Sequence, residues 1–240
     1  MYGEAFSRIY DEYGWNVYAE VFAGRLLRWL REDRVPVSAA VDLGCGTGVL
    51  CHALAEAGIR ITGVDLSPSM IAQAQAGGGA VSYTVGDMVA FRPADPCDLV
   101  TCTGDALNHL DSLDQVRRLF AGIFSYLAPG GWLVFDLLDA REAEEADFIE
   151  LFRDDHRCGT FTIAPGEAGS VTLTVTVSEN GRILFTETIR ETVYSPDDVC
   201  DLLRETGFTD IHAAHRLSEN DPAEAVTWFV RARKPASDHL

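Results

Sequence analysis

The stretch Val41-Asp42-Leu43-Gly44-Cys45-Gly46-Thr47-Gly48 decides the fold. It begins inside a short apolar segment that starts at Ala39, and three glycines then alternate with Cys45 and Thr47. Glycines let a backbone turn tightly from a strand into a helix, and they let a ligand approach the peptide groups. The dinucleotide-binding fingerprint is G-x-G-x-x-G, whereas the third glycine here comes one residue early. The stretch therefore predicts a strand, a ligand-binding loop and a helix, in that order.

Short apolar strands and helices alternate along the chain after this loop. Two helix starts are marked, by Ser67-Pro68 and by Ser112 with Gln115. Short apolar strands that alternate with helices indicate a parallel sheet covered on both faces. Two further strands are predicted at 208–216 and 225–233, and their short connection requires antiparallel pairing. We therefore expect a three-layer α/β sandwich with a seven-stranded, mostly parallel sheet whose last strand is antiparallel. The first five strands are predicted at 39–43, 59–65, 81–85, 97–102 and 132–138.

A different pattern appears after the fifth strand. From Val171 to Ser178 apolar residues alternate with Thr and Ser, and Asn180-Gly181 is a strong signal for a two-residue hairpin loop. Regular pairing from that loop would join Val177 to Leu184 and Val175 to Thr186, which mixes apolar and polar side chains on both faces. We predict a β-hairpin insertion, with one face on the domain and the other on substrate or a second subunit.

These patterns divide one domain of 240 residues into four parts. The apolar period over residues 16–32 predicts a helix, which belongs to an N-terminal helical lid. The predicted parts are the lid at 1–34, a core at 36–138, the β insertion at 157–194, and the last helix with the antiparallel strand pair at 195–235.

Composition excludes several classes of function. The formal net charge is −18, so nucleic acid and anionic membranes are poor partners. No stretch reaches the roughly 20 apolar residues of a membrane span, and no secretory signal is visible. The six cysteines lack CxxC spacing, which disfavours disulfides and a metal site and favours a reducing cytoplasm. A homodimer is left open.

Several of these motifs resemble those of the class I S-adenosylmethionine (SAM) dependent methyltransferases that act on small molecules. The resemblance is close over residues 36–138. D-L-G-C-G-T-G at 42–48 is similar to the first motif of that family, and G-V-D-L-S-P-S-M at 63–70 to the second. Gly86-Asp87-Met88 resembles the motif that holds adenine, 97–100 the fourth motif, and 127–131 the turn before the fifth strand.

The resemblance implies that SAM is the cofactor and which residues bind it. The glycines would pass under the methionine half, and Asp42 would lie near its amino-acid group. Asp65 would bind both ribose hydroxyls, in keeping with its place at the end of the second strand. Asp87 and the Met88 N–H would contact adenine, while Thr103 would border the reactive methyl. The implied cofactor-binding set is Asp42, Gly44, Cys45, Gly46, Gly48, Asp65, Leu66, Met70, Gly86, Asp87, Met88 and Thr103.

The resemblance also implies an acceptor site between the lid and the insertion. We expect methyl transfer to a small molecule, and the acidic chain favours an amine nitrogen as its acceptor atom. Candidate catalytic residues are Tyr10, Asp105 and His109. Asn108 beside them is either a contact to substrate or a loop cap. Aromatic residues available to the lid are Tyr2, Phe6, Tyr10, Tyr13 and Trp15.

Other functions remain open at this point. The same motifs are compatible with an O-methyltransferase acting on a small phenol or carboxylate, and with a SAM-binding protein that transfers no methyl group. Aminopropyl transfer is a further use of this fold. An NAD-dependent oxidoreductase is disfavoured by the glycine spacing.

Overall fold

A computed structural model describes residues 3–12, 14–139, 147–167, 169–221 and 227–236 of the chain. Its helices within those residues are α1 (Glu4–Ile9), α2 (Asn16–Glu32), α3 (Val49–Glu56), α4 (Pro68–Ala76), α5 (Leu113–Tyr126) and α6 (Pro196–Thr206), with a 3₁₀ helix at Ala106–His109. Of the predicted lid aromatics, Tyr2 and Tyr13 lie outside the described residues.

The central sheet has seven strands in the order β10-β11-β5-β4-β1-β2-β3. Among these seven strands β11 alone runs opposite to the other six, which confirms the predicted sheet. Its strands are β1 (Ala39–Leu43), β2 (Arg60–Asp65), β3 (Ser82–Val85), β4 (Cys97–Cys102), β5 (Leu127–Leu138), β10 (Thr209–Ala214) and β11 (Thr227–Arg233).

Helices cover the sheet on both faces. On one face α2 and α3 bury Trp29 and Leu54, and on the other α5 and α6 bury Phe120 and Leu203. All five residues of the central strand β1 are buried. Such a strand is covered on both sides, which explains why four of its five residues are apolar and why they do not alternate with polar ones; Asp42 is the exception.

The predicted helix starts form as hydrogen-bonded caps. The Met70 N–H donates to Ser67 Oγ at 3.4 Å at the start of α4, and the Gln115 N–H donates to Ser112 Oγ at 3.4 Å at the start of α5. Each cap gives an acceptor to an N–H group that has no partner within its helix. Local sequence therefore fixes where both helices begin.

The insertion is a four-stranded antiparallel sheet in the order β6-β7-β8-β9. The predicted hairpin is its β8–β9 pair, and two more strands precede it. The predicted start at residue 157 is too late, because β6 already pairs with β7. These strands are β6 (Asp147–Arg153), β7 (Arg157–Pro165), β8 (Ser170–Glu179) and β9 (Arg182–Thr192).

The predicted hairpin register holds for the first two pairs from the loop, the second being Ser178 with Ile183, and is wrong beyond them. Glu179 pairs with Arg182 as expected, but Val177 pairs with Phe185, so Leu184 is an extra residue in β9. This bulge moves the rest of β9 by one position and therefore exchanges its two faces. Val175 now shares a face with Ile189, and both are buried. The insertion is thus amphipathic rather than mixed on both faces.

The chain leaves β1 through a loop in left-handed backbone conformations. Gly48, which precedes α3, has a φ of 83°, and a Cβ added there would lie 2.3 Å from the hydroxyl of Tyr83. Only glycine meets both conditions without a shift of the surrounding structure. The third glycine of the motif is therefore required by the turn and by close packing against β3.

We expect Gly48→Ala to lower the free energy of unfolding by about 1–3 kcal/mol, since alanine is strained at this φ and overlaps Tyr83. Gly24→Ala is the matched control, because Gly24 is an exposed position in α2 with no atom within 4 Å of an added Cβ. That variant should gain about 0.5–1 kcal/mol. Urea unfolding measures both changes, and equal stabilities of the two variants would contradict this explanation.

Candidate active site

A cavity of about 320 Å³ lies at the carboxyl ends of the central strands. Open α/β sheets place their ligands at this edge. The glycine loop after β1 and the ends of β2 and β4 form one side of the cavity. The segment before and within α2 and the inner face of the insertion sheet form the other side. The cavity therefore meets all the segments for which a role was predicted.

Asp65, at the end of β2, is held by two backbone donors. The Gly46 N–H donates to its Oδ2 at 2.9 Å, and the Ser67 N–H donates to its Oδ1 at 2.8 Å. Burial raises the pKa of this carboxyl, while the two N–H groups act in the opposite direction. Each carboxylate oxygen keeps a further lone pair, so Asp65 can accept hydrogen bonds from a ligand.

Asp42 forms part of the cavity floor and is 2% exposed. Thr101 Oγ1 donates to its Oδ1 at 2.6 Å, and the Cys51 thiol donates to its Oδ2 at 3.5 Å. Burial raises the pKa of Asp42 to about 6, and these two donors offset part of that effect. Asp42 is thus a buried acid whose side chain is fixed by its neighbours.

The end of β3 contributes Asp87, which is exposed at the edge of the cavity. Its Oδ1 accepts from the Val89 N–H at 2.9 Å, and the neighbouring Gly86 N–H donates to the Asp65 carbonyl at 2.9 Å. These bonds keep the carboxylates that follow β2 and β3 on one side of the cavity. Leu66, half exposed, lies between them in the chain.

Asp136 in β5 was missed by the sequence analysis, and it organises the loop after β4. Its carboxylate accepts three hydrogen bonds, from the Tyr18 hydroxyl at 2.5 Å, the Gly104 N–H at 2.8 Å and the Asp105 N–H at 3.0 Å. Burial raises its pKa to about 6. Asp105 has a left-handed φ of 58°, which these bonds help to maintain. A buried Asp within the apolar run of β5 was the available signal.

The N-terminal segment is fixed to both sides of the cavity. Thr47 Oγ1 in the glycine loop donates to Asp11 Oδ1 at 2.7 Å, and the Gly3 N–H donates to Glu187 of the insertion. Phe6 and Tyr10 lie between these two attachments, and together with Trp15 they form an aromatic cluster against the insertion sheet. Burial above all, with nearby carboxylates including that of Asp105, raises the pKa of Tyr10. Its phenol therefore stays protonated.

His109 faces a buried carboxylate of the insertion. Its Nε2 is 3.7 Å from Oε1 of Glu191, whose side chain is 2% exposed. Burial lowers the pKa of His109 to about 4, so the imidazole is neutral at pH 7. The side chain of the neighbouring Asn108 donates to the Thr192 carbonyl at 2.8 Å and accepts from the Leu138 N–H at 3.2 Å. Asn108 therefore links β5 to the insertion.

The structure brings most of the predicted site residues to one cavity. Gly48 and Met70 are the two that do not line it, because Gly48 packs on Tyr83 and the Met70 side chain, on the inner side of α4, is fully buried. Cavity-lining residues that sequence reasoning missed include Tyr18, Phe161 and Leu173, and Glu191 lines the cavity although a hairpin charge is usually solvated. The predicted residues that line it are Asp42, Gly44, Cys45, Gly46, Asp65, Leu66, Gly86, Asp87, Met88 and Thr103, with Tyr10, Asp105 and His109.

Comparisons with known proteins agree with this arrangement. Residues 40–131 match the family described as "Methyltransferase domain". A putative methyltransferase of Geobacillus is 29% identical over 77% of this chain and 79% of its own length. A ubiquinone biosynthesis O-methyltransferase of Bordetella avium is 31% identical over 47% of this chain and 48% of its own. The structure of SAM-bound CalS10, an amino pentose methyltransferase from Micromonospora echinaspora, matches with a TM-score of 0.73 at 21% identity and covers 98% of each chain.

The residues of the cavity fit a SAM molecule. An added Cβ at Gly46 would meet no atom within 4 Å, so the loop leaves room for a ligand against its backbone. Carboxylates and aromatic rings surround that room, and both attract a sulfonium cation. Residues 40–131 match a methyltransferase domain, and the fold and the site are those expected of a SAM-dependent methyltransferase.

Two further observations bear on the surroundings of the site. Of the helices within the described residues, none is long and apolar enough to cross a membrane. Over the same residues, no group of three or more His, Cys, Asp or Glu side chains could hold a metal ion.

We expect Asp65→Ala to weaken S-adenosylhomocysteine binding by roughly 10–100-fold, because hydrogen bonds to a charged group contribute about 1.5–3 kcal/mol each. The same change also leaves the Gly46 and Ser67 N–H groups without their acceptor. Asp95→Ala is the control for loss of one negative charge, since Asp95 is exposed and does not line the cavity. Calorimetric titration measures both variants. Unchanged affinity in Asp65→Ala would remove this residue from the cofactor site.

Asp42 should make folding stability depend on pH in a defined direction. Its folded pKa of about 6 exceeds the ordinary value of 3.8, so between these pH values the folded protein binds a proton that the unfolded chain has lost. The contribution of Asp42 to the free energy of unfolding is therefore greatest below about pH 4 and falls until about pH 6. In Asp42→Asn the free energy of unfolding should decrease by about 3 kcal/mol less than in the unmodified protein between pH 4 and pH 6. Urea unfolding at pH 4 to 7 measures it, and an unaltered pH profile would contradict it.

Proposed function

We propose that this methyltransferase transfers the methyl group of SAM to the nitrogen of a small amine. The observation that carries the proposal is the charge of the cavity. Asp105 and Glu191 line the side nearest the lid and insertion, and within the described residues no Lys or Arg lines the cavity. An ammonium group is attracted to such a site, whereas a carboxylate acceptor is repelled.

The cofactor occupies the side of the cavity built by the glycine loop. In this proposal Asp65 accepts hydrogen bonds from the ribose hydroxyls, and Asp87 with the Met88 N–H binds adenine. Gly44 and Gly46 lie along the methionine half, with Asp42 beneath it. The remaining space, between Asp105, the lid and the insertion, is left for the acceptor.

Bound SAM supplies a methyl group that is already activated by its positive sulfur. The chain's own residues hold the acceptor nitrogen in line with the S–CH₃ bond and keep water away. The aromatic cluster of Phe6, Tyr10 and Trp15 is suited to excluding water, because it covers the cavity between the lid and the insertion.

An amine acceptor must lose a proton before or during methyl transfer, and His109 is positioned to accept it. Its imidazole is neutral at pH 7 because burial lowers its pKa to about 4. The Glu191 carboxylate, whose Oε1 lies 3.7 Å from Nε2, orients the ring. Tyr10 keeps its own proton and orients the amine through its hydroxyl, while Asp105 attracts the cation. We assign His109 as the general base on these grounds.

Relatives support two acceptor types, and the cavity favours one of them. CalS10 is named as an amino pentose methyltransferase, while the Bordetella avium relative is named as an O-methyltransferase. A phenol acceptor would also find His109 as a base. The carboxylates around the acceptor space are what favour nitrogen over oxygen.

We expect His109→Gln to lower kcat for an amine by roughly 100-fold or more at pH 7, the usual contribution of a general base. The loss should shrink as the pH approaches the pKa of the free amine, because the acceptor then arrives unprotonated. Affinity for S-adenosylhomocysteine should stay unchanged. His156→Gln is the matched control, since His156 is exposed near the hairpin turn.

The measurement uses SAM with a labelled methyl group and a panel of amines, phenols and carboxylates. Label on nitrogen supports the proposal. Label found only on oxygen would overturn the proposal and identify an O-methyltransferase. Binding of SAM with no labelled product from any of the three acceptor classes would also overturn it and indicate a SAM-binding protein that transfers no methyl group.

We further infer that the protein works in a reducing compartment, the cytoplasm. All six cysteines are free thiols, and five of them are buried. Such thiols are typical of reducing surroundings.

The homodimer stays a prediction.

A further inference from the structure

The wall of the cavity that faces the acceptor space comes largely from the insertion sheet, and it is apolar except at one end. Phe161, Leu173, Val175 and Ile189 line the cavity from its inner face. Glu191 is the one charged side chain that this sheet adds to the lining within the described residues. The bulge at Leu184 produces this arrangement, since it places Ile189 and Glu191 on the same face as Leu173.

We propose that the acceptor is an amine carried on an apolar body, such as an arylalkylamine, and that the body lies on the insertion sheet while Glu191 and His109 bind the amine end. This inference rests on the proposed N-methyl transfer and names its substrate class. It separates this chain from enzymes whose acceptor is rich in hydroxyl groups.

The dimensions of the wall match a body of about one ring and a short linker. Cross-strand pairing puts Glu191 opposite Val171, Ile189 opposite Leu173, and Val175 opposite Phe161 in successive rows of the inner face. Successive rows on one face of a sheet are roughly 7 Å apart. The acidic row is therefore followed by the row of Ile189 and Leu173 and then by Val175 and Phe161. The β9 partner of Val175 is Glu187, which accepts from the Gly3 N–H and does not line the cavity. The part of the second and third rows that lines the cavity is thus apolar, enough for a linker and then an aromatic ring.

Hydroxyl groups on the part of the acceptor that lies along the apolar rows of the sheet would find few partners. The Tyr18 hydroxyl already donates to Asp136, and the Asn16 amide donates to Glu20 Oε1 at 3.0 Å. A sugar hydroxyl placed against Leu173 or Ile189 would lose its water without gaining a hydrogen bond, which disfavours binding. Apolar carbon placed on the same side chains gains from leaving water.

Three probes of related shape test the inference by titration into protein saturated with S-adenosylhomocysteine. They are 2-phenylethylamine, 2-phenylethanol and glucosamine. We expect 2-phenylethylamine to bind most tightly, with a negative heat-capacity change that reports apolar burial. Glucosamine should bind at least about tenfold more weakly, since its hydroxyls leave water without new partners.

Two variants test separately the contact of Glu191 with the amine and the contact of Leu173 with the apolar body. Glu191→Gln should weaken 2-phenylethylamine by roughly tenfold or more, through loss of the buried charge, and leave 2-phenylethanol unchanged. Leu173→Gln should weaken both phenyl ligands by roughly tenfold. Thr174→Gln is the matched control, because Thr174 is the next residue on β8 and faces the opposite side of the sheet. Unchanged binding of S-adenosylhomocysteine shows that each variant is folded.

The outcomes distinguish this inference from the function on which it rests. Tighter binding and N-methylation of glucosamine would overturn the apolar body and leave N-methyl transfer standing. Methylation of phenols alone, with no effect of Glu191→Gln on binding, would overturn both. Failure of both phenyl ligands to bind a protein that binds S-adenosylhomocysteine would also overturn the apolar acceptor.

Discussion

The carboxylate of Asp136 is the interaction on which the site depends. It joins three elements that are far apart in the chain, since it lies in β5 and accepts from Tyr18 of α2 and from the backbone of Gly104 and Asp105 after β4. Because the group is buried, each of these bonds replaces a bond to water, and leaving any of them unmade is costly. Asp136 thereby fixes the loop that borders both halves of the cavity.

Sequence reasoning succeeded where the signal was local. The glycine loop, the caps at Ser67 and Ser112 and the positions of the central strands along the chain could all be predicted, because each depends on residues a few positions apart. The role of Asp136 could not, since its partners are as many as 118 positions away. The register of β9 was mispredicted for a different reason. Leu184 is an ordinary strand residue, so nothing in the local sequence shows that it has no partner on β8. The bulge at Leu184 is set by the burial of Ile189 in the tertiary structure.

The electrostatics of the cavity follow from the same architecture. Strands β1 and β2 each bring an acid to the cavity, the lid adds aromatic faces, and the insertion adds Glu191 at the end of an apolar wall. The two carboxyls with pKa values near 6, Asp42 and Asp136, are fixed by donors rather than by cations. The site therefore has negatively charged carboxylates in fixed positions. Such a site binds two cations, a sulfonium cofactor and an ammonium acceptor, better than it binds one cation and one anion.

The bulge in β9 has an evolutionary consequence. Leu184 is the extra residue, so its loss would leave a regular hairpin in which Ile189 still pairs with Leu173 and Glu191 with Val171. A slip of the buried face by one position would instead bring Arg190 opposite Leu173 and turn Ile189 outward. In descendants of this gene, this strand can therefore lose the codon for Leu184 without reversing the charge that faces the acceptor.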